Sequence, residues 1–291
     1  MNKLRTWAEA LLQRPSYAAG FALLCTILPL TEWVAWSWLV LTQLRYGPRY
    51  SVLVLAAISL GVMILIGMLN GMWEIALVHI ALLAVPVWIF SIVLRTSVSL
   101  NFTTQVIAIT VLVALFLAGL AGLNDPAVVA GFLESRLGQL IEADPTFTQT
   151  IESFAQFFVL YWAAALFWSY LFSLFIGRWW QAALDNPGGF KREFHALRLN
   201  YLVGGGALVL ILLSFWAPEN TVVVAASILA ASALTVAGLG LVHFYVQSKQ
   251  WSNWVLVGVY LSVFLLSPFV VPLLVMFAAI DSAADLRKRL S

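Results

Sequence analysis

The chain has 291 residues, of which 63% are hydrophobic and only 10% charged, with a mean hydropathy of +0.97. Soluble domains are about 45–50% apolar and about 25% charged, so a water-soluble globular protein is excluded. A net charge of +2 is too small for a nucleic-acid-binding surface; the partner that composition points to is the lipid bilayer, and no nucleic-acid partner is expected.

The apolar residues form long unbroken runs instead of the ten-residue alternation of outer-membrane strands, which predicts an all-α, polytopic transmembrane bundle. Lys3, Arg5 and Arg14 precede an apolar stretch from Tyr17 to Leu30, the outline of a signal peptide. No small-x-small step follows it, and Ala22-Leu23-Leu24 before Cys25 does not fit a lipoprotein signal, so a retained first anchor is expected. Residues 1–14 place Leu4, Trp7, Ala8, Leu11 and Leu12 on one face, an interfacial amphipathic segment. Cys25 is the single cysteine, which excludes disulfides and cysteine-based metal sites.

A helix needs about 20 residues to cross the hydrocarbon core. Ser51–Leu69, Ile75–Leu94, Phe102–Leu123, Phe154–Gly177, Leu199–Ala217 and Thr221–Val246 meet this. Tyr17–Leu44 and Ser252–Asp281 are too long for one upright span and carry breakers midway: Pro29 with Thr31 and Glu32 in the first, Ser267-Pro268 and Pro272 in the second. Each is expected to fold as a hairpin, giving about eight membrane segments, or ten if each hairpin counts twice. This arrangement puts every basic cluster on one side, so by the positive-inside rule both termini are cytoplasmic in a bacterial inner membrane. The whole of 1–291 then forms a single membrane domain. Its outer loop at 124–152 sets Val128, Val129, Phe132, Leu133, Leu137, Leu140 and Ile141 at helical intervals among acids, between Asp125-Pro126 and Asp144-Pro145, which predicts a surface-lying or cavity-capping helix. The thirteen Trp, paired near span ends at Trp33/Trp36 and Trp179/Trp180, fit an aromatic belt.

No phosphate-binding loop occurs: Gly204-Gly205-Gly206 lies within a span and no Lys follows, so the chain has no ATPase of its own. The three His have no metal-ligand spacing, no nucleophile elbow is present, and no acid–base pair stands out, so neither a cofactor, a metal nor a catalytic residue is expected. Ionisable residues at membrane depth are functional suspects. Glu32, Asn70, Glu74 and His79 fall at the outer ends of their segments and are the candidate ligand-binding set. Small residues four apart, Ala18 and Ala22 above all, permit close helix approach inside the bundle or by a separate subunit. The cytoplasmic connection at 178–198 is the most distinctive stretch. Asn186-Pro187-Gly188-Gly189 breaks the chain, after which Phe190, Phe194, Leu197 and Tyr201 recur on one helical face with Glu193 and Arg198 beside them. This predicts an amphipathic helix that lies on the membrane surface or docks a partner.

Asn186-x-Gly188, Phe190-x-x-Glu193-Phe194-x-x-Leu197-Arg198-Leu199, the early Leu44-Arg45-x-Gly47 and the terminal Asp281 with Asp285-x-Arg287 resemble the YybS-like family of bacterial integral membrane proteins. That family carries no established reaction, and in fold it is distantly similar to the S components of energy-coupling-factor transporters. The resemblance implies an S-component-like core that captures a solute and docks a transmembrane coupling subunit with a cytoplasmic ATPase. Ala18-x-x-x-Ala22 looks like the alanine docking motif on the first helix of such components. The chain departs from them in its larger number of segments and its long acidic outer loop. A second function stays open beside transport: a non-catalytic scaffold that recruits envelope-assembly or cell-shape machinery through Phe190, Glu193, Phe194 and Arg198.

Overall fold

The computed structural model describes residues 2–143 and 146–288. The Asp144-Pro145 boundary and Arg289 lie outside the described residues, as do the side chains of Lys3, Leu4, Arg5, Trp7, Leu140 and Glu142. Among the described residues thirteen helices follow in order: α1 (Asn2–Leu12), α2 (Pro15–Ile27), α3 (Glu32–Tyr46), α4 (Pro48–Met68), α5 (Trp73–Ser97), α6 (Leu100–Leu120), α7 (Pro126–Ala143), α8 (Phe147–Asp185), α9 (Gly189–His195), α10 (Tyr201–Trp216), α11 (Thr221–Ser248), α12 (Trp254–Leu265) and α13 (Ser267–Ala284). No strand occurs among the described residues. Six helices, α4, α5, α6, α8, α11 and α13, are long and apolar enough to cross a membrane by length and composition, while α2, α10 and α12 are apolar but shorter.

The chain divides into two compact units, Met1–Thr103 with Trp168–Phe194, and Thr104–Phe167 with His195–Ser291. In the first unit α2 and α3 pair as a hairpin. Pro29 disfavours helical backbone at the residue before it, and Leu28 is extended with ψ 138°. Leu30 then turns with φ +62°, and the Thr31 hydroxyl hydrogen-bonds to the Cys25 carbonyl at 2.7 Å. Across the hairpin the Trp38 indole N–H donates to the Ala18 carbonyl at 3.2 Å. Small residues allow the close approaches: Ala18 and Ala22 are fully covered, and a Cβ on Gly61 of α4 would come 2.9 Å from the Thr26 side chain of α2. The last part of α8 packs on α3, where Gly177 meets the Ser37 carbonyl and Val40.

The second unit has α10, α11 and α13 as its packed core. Gly204 faces Ser282, and Gly238 lies against the Leu274 carbonyl. The chain breaks between α12 and α13 at Leu266, before Pro268, whereas Pro272 is accommodated inside α13. The helix expected in the 124–152 loop is α7: Val129, Leu133, Leu137 and Ile141 pack with Ala130 on Ile151, Ala155 and Phe147 of α8. The Asp125 carboxylate accepts from the Ala127 N–H at 2.8 Å and fixes its start.

Two expectations need correction. The span expected at Phe154–Gly177 is the middle of a 39-residue helix, which at 1.5 Å per residue is about 58 Å long and runs through Trp179-Trp180 to Asp185. The amphipathic helix expected to carry Phe190 through Tyr201 on one face ends at His195. The carbonyls of His195 and Leu197 accept from the Arg287 guanidinium instead of from helical N–H groups, and Asn200 caps a new helix by accepting from the Val203 N–H at 2.9 Å.

Candidate functional site

At the end of the first unit that carries the turns 28–31 and 69–72, α3 and α5 bring Glu32 and His79 together. His79 Nε2 lies 2.6 Å from Glu32 Oε1, with the two side chains 20% and 33% exposed. Trp36, four residues after Glu32 and so on the same face of α3, holds its ring 6.0 Å from the His79 ring. Its indole N–H is buried and has no hydrogen-bond partner. Of the other two residues chosen with them, Asn70 bonds back to the Leu65 carbonyl at 2.6 Å, and Glu74 is exposed in the first turn of α5.

The helices around the pair are irregular. Met63–Met68 and Ile80–Ala84 are wound as π-helix, and the second segment begins one residue after His79. Pro86 accounts for it: proline has no N–H to give the carbonyl four residues earlier, and its ring crowds that carbonyl. The carbonyl in question is that of Leu82, and the Tyr170 hydroxyl donates to it. In the first segment the Leu69 N–H reaches back five residues to the Ile64 carbonyl at 3.0 Å, while the Trp73 ring fills the space over Gly67. Such π-turns are rare and concentrate at functional sites. Nothing in the hydrophobic pattern of α4 or α5 marked them; Pro86 was the one available signal.

The opposite end of the unit is tied down by polar side chains. Arg95 donates to the Gln43 carbonyl at 2.6 Å, and its guanidinium covers Gly47, which turns with φ +89°. Ser51 donates to the Gln43 side chain and accepts from the Trp88 indole at 2.9 Å. Arg45 pairs with Asp185 at 3.2 Å. Of the residues expected to dock a partner, Glu193 pairs with Arg178, and Phe190 and Phe194 stack on each other and set their edges against Phe175 of α8. Ala18 and Ala22 are covered within the chain and present no outward surface.

In the second unit Arg198 pairs with Asp285 at 2.9 Å. Burial raises the Asp285 pKa, but the hydrogen bond to Lys288 and the charges of Arg198 and Lys288 outweigh it and hold the carboxyl below its ordinary value. Burial lowers the Arg287 pKa, and the charge and hydrogen bond of Asp281 oppose this. His195 and His243 bring their rings to 5.8 Å, and His243 Nε2 lies 2.9 Å from the Tyr260 hydroxyl. Two cavities in this unit are apolar: one of about 440 Å³ is lined by Leu112, Leu202, Gly206 and Leu229 among others, and one of about 390 Å³ lies between α12 and α13. Neither contains a residue of the candidate set. Among the described residues no group of three His, Cys, Asp or Glu is arranged to hold a metal ion.

No family model matches the chain, and neither does a curated protein or a solved structure.

Proposed function

We propose that this chain is a multi-pass protein of a bacterial cytoplasmic membrane, with about eight membrane segments and both termini inside, that captures a small polar solute at the outer end of its first unit. It acts without an ATPase of its own and passes the solute to a transmembrane coupling subunit, as the resemblance to the YybS-like family and to S components implies. The observation that carries this reading is the part-buried Glu32–His79 bond between α3 and α5, with α5 π-wound from the residue after His79. A polar pair in an apolar span costs free energy to desolvate, so its presence is a functional pointer by default.

The scaffold reading is less well supported. Its docking residues Phe190, Glu193, Phe194 and Arg198 are engaged within the chain. The test is a thermal-shift screen of the purified, detergent-solubilised chain against a metabolite library, repeated on Glu32→Ala and His79→Ala. A solute that stabilises the parent chain and neither variant supports capture. No stabilising solute, together with envelope-assembly proteins co-purifying with the parent chain and lost from Phe194→Ala, overturns it in favour of the scaffold.

A further inference from the structure

We infer that the solute taken by this site is amphipathic, with an uncharged oxygen-bearing end group, a hydroxyl or a carboxamide, seated at the Glu32–His79 pair and an apolar body about 10 Å long above it. The inference rests on the capture reading above and names its ligand class.

Helix lengths come first. The helices α2 and α3 have 13 and 15 residues and rise about 20 and 22 Å, whereas α4 and α5 have 21 and 25 residues and rise about 31 and 37 Å. At one end they are flush: Gly47 alone joins α3 to α4, and the guanidinium of Arg95, two residues before the end of α5, covers it. The difference therefore falls at the end with the turns 28–31 and 69–72, where two contacts measure it. Gly61 of α4 lies against Thr26, one residue before α2 stops, and α4 runs on for seven residues, about 10 Å. His79 of α5 meets Glu32, the first residue of α3, and α5 begins six residues, about 9 Å, before it. The short hairpin is thus the floor of a recess about 10 Å deep, and the ends of α4 and α5 are its walls.

Floor and walls differ in character. The floor holds the part-exposed Glu32–His79 pair, and beside it the Trp36 indole N–H is buried without an acceptor. Such a donor is rare in a native structure, and an oxygen of a bound molecule supplies what it lacks. The walls are apolar. From Val62 to Leu69 every residue of α4 and its turn is apolar or glycine, with Met68 and Leu69 exposed, and Ile75 and Ala76 stand on the His79 face of α5, four and three residues before it. Leu30, at the tip of the short hairpin, is 92% exposed. Water filling the recess would wet these apolar walls, and a lipid chain filling it would set hydrocarbon against a carboxylate and an imidazole. A molecule polar at one end and apolar along its body suits both. Its end group is uncharged because Glu32 and His79 already complete each other across 2.6 Å: a carboxylate would face the Glu32 carboxylate, and a cation would have to break the pair.

The experiment is equilibrium dialysis of the purified full chain in lipid nanodiscs against hexanamide. Acetamide presents the end group without the body, and hexanoate and hexylammonium carry the same body with a charged end; empty nanodiscs subtract partition into lipid. Trp36→Phe, which keeps a ring and removes the N–H, and Met68→Asn, which makes an exposed wall position polar, are run beside the parent, each first checked for an unchanged melting temperature. Saturable binding of hexanamide, tighter than that of the other three probes and weakened about threefold to tenfold in Trp36→Phe and about threefold in Met68→Asn, supports the inference. No saturable hexanamide binding overturns it, as does binding unchanged in either variant, or acetamide or a charged probe binding as tightly. Failure of the class and failure of the site remain distinguishable. A charged or wholly polar metabolite that stabilises the parent and neither Glu32→Ala nor His79→Ala overturns the amphipathic class while leaving the capture site standing.

Discussion

Arg287 donates its Nε–H to Asp281 at 3.1 Å, six residues earlier in the chain, and the two side chains are 11% and 2% exposed. The same carboxylate accepts the Leu286 N–H at 2.9 Å, and the rest of the guanidinium reaches the carbonyls of His195 and Leu197. One fork of donors thus closes the end of α13 and fixes the irregular stretch between α9 and α10. Breaking a buried ion pair by removing one partner costs about 3 kcal/mol or more, since the other charge is left without a counter-ion. Arg287→Ala should lower the melting temperature of the solubilised protein markedly, and limited proteolysis should show new cleavage near residues 196–200. Arg287→Lys should rescue little, because an ammonium cannot span three acceptors held in a planar fork. Wild-type melting in both variants would remove the latch from the account of the fold.

The neighbouring Asp285 gives a dependence on pH. Its carboxyl is held below the ordinary value when folded, so it binds a proton less readily in the folded chain than in the unfolded one. The stabilisation is fully present above the unfolded value, near pH 4, and is lost as pH falls through the lower folded value. Melting temperatures measured from pH 5 down to pH 3 should therefore fall more steeply for the parent chain than for Asp285→Asn. Parallel curves would show that the contacts with Arg198 and Lys288 add nothing.

The three consecutive glycines at 204–206 should separate by what a methyl group meets. On Gly204 a Cβ would come 2.6 Å from the Ser282 side chain, where α10 and α13 are in contact, whereas on Gly205 nothing lies within 4 Å. Gly204→Ala should destabilise by about 1–3 kcal/mol through overpacking. Gly205→Ala, at a helical position with open space, should stabilise by about 0.5–1 kcal/mol by restricting the unfolded chain. Paired thermal melts test this, and the two changes having the same sign would refute the packing.

Much of this arrangement was legible in the residues and some of it was not. The helical class, the breaks near Pro29 and Pro268, the helix in the 124–152 loop and the turn at Asn186-Pro187-Gly188-Gly189 follow from hydrophobic runs and from proline and glycine chemistry, all of them local. The residues carrying the family resemblance also proved structural: Gly47 turns the chain under Arg95, Glu193 holds Arg178, and Asp281 holds Arg287. The partners of Gly47 and Glu193 were out of reach because Arg95 and Arg178 lie 48 and 15 residues away, and periodicity reports only on neighbours. The end of α9 at His195 was missed for that reason, since the group that takes its carbonyls comes from the far end of the chain. For the candidate site, charge and depth singled out Glu32 and His79, but the contact between them, the part played by Trp36 and the two π-segments depend on how α3, α4 and α5 pack.

The π-segment after His79 supplies the last prediction. Tyr170 donates to the Leu82 carbonyl, to which Pro86 has no N–H to give, so Tyr170→Phe removes a part-buried hydrogen bond and should cost about 0.5–1.5 kcal/mol. Pro86→Ala returns a backbone N–H to that position and lets α5 regain the regular winding, in which Leu82 is satisfied within its own helix. In that background Tyr170→Phe should cost much less, so the two changes should couple in a double-mutant cycle by about 0.5–1 kcal/mol. Regular winding also removes the extra residue of the π-turn and rotates His79 by about 100° relative to Val87 and the helix beyond it, at 3.6 residues per turn. Solute capture by Pro86→Ala should therefore fall along with the coupling, although the proline touches neither Glu32 nor His79. Strict additivity of the two substitutions would mean that the tyrosine and the proline act independently. Undiminished capture in Pro86→Ala would mean that the π-winding does not set the position of His79.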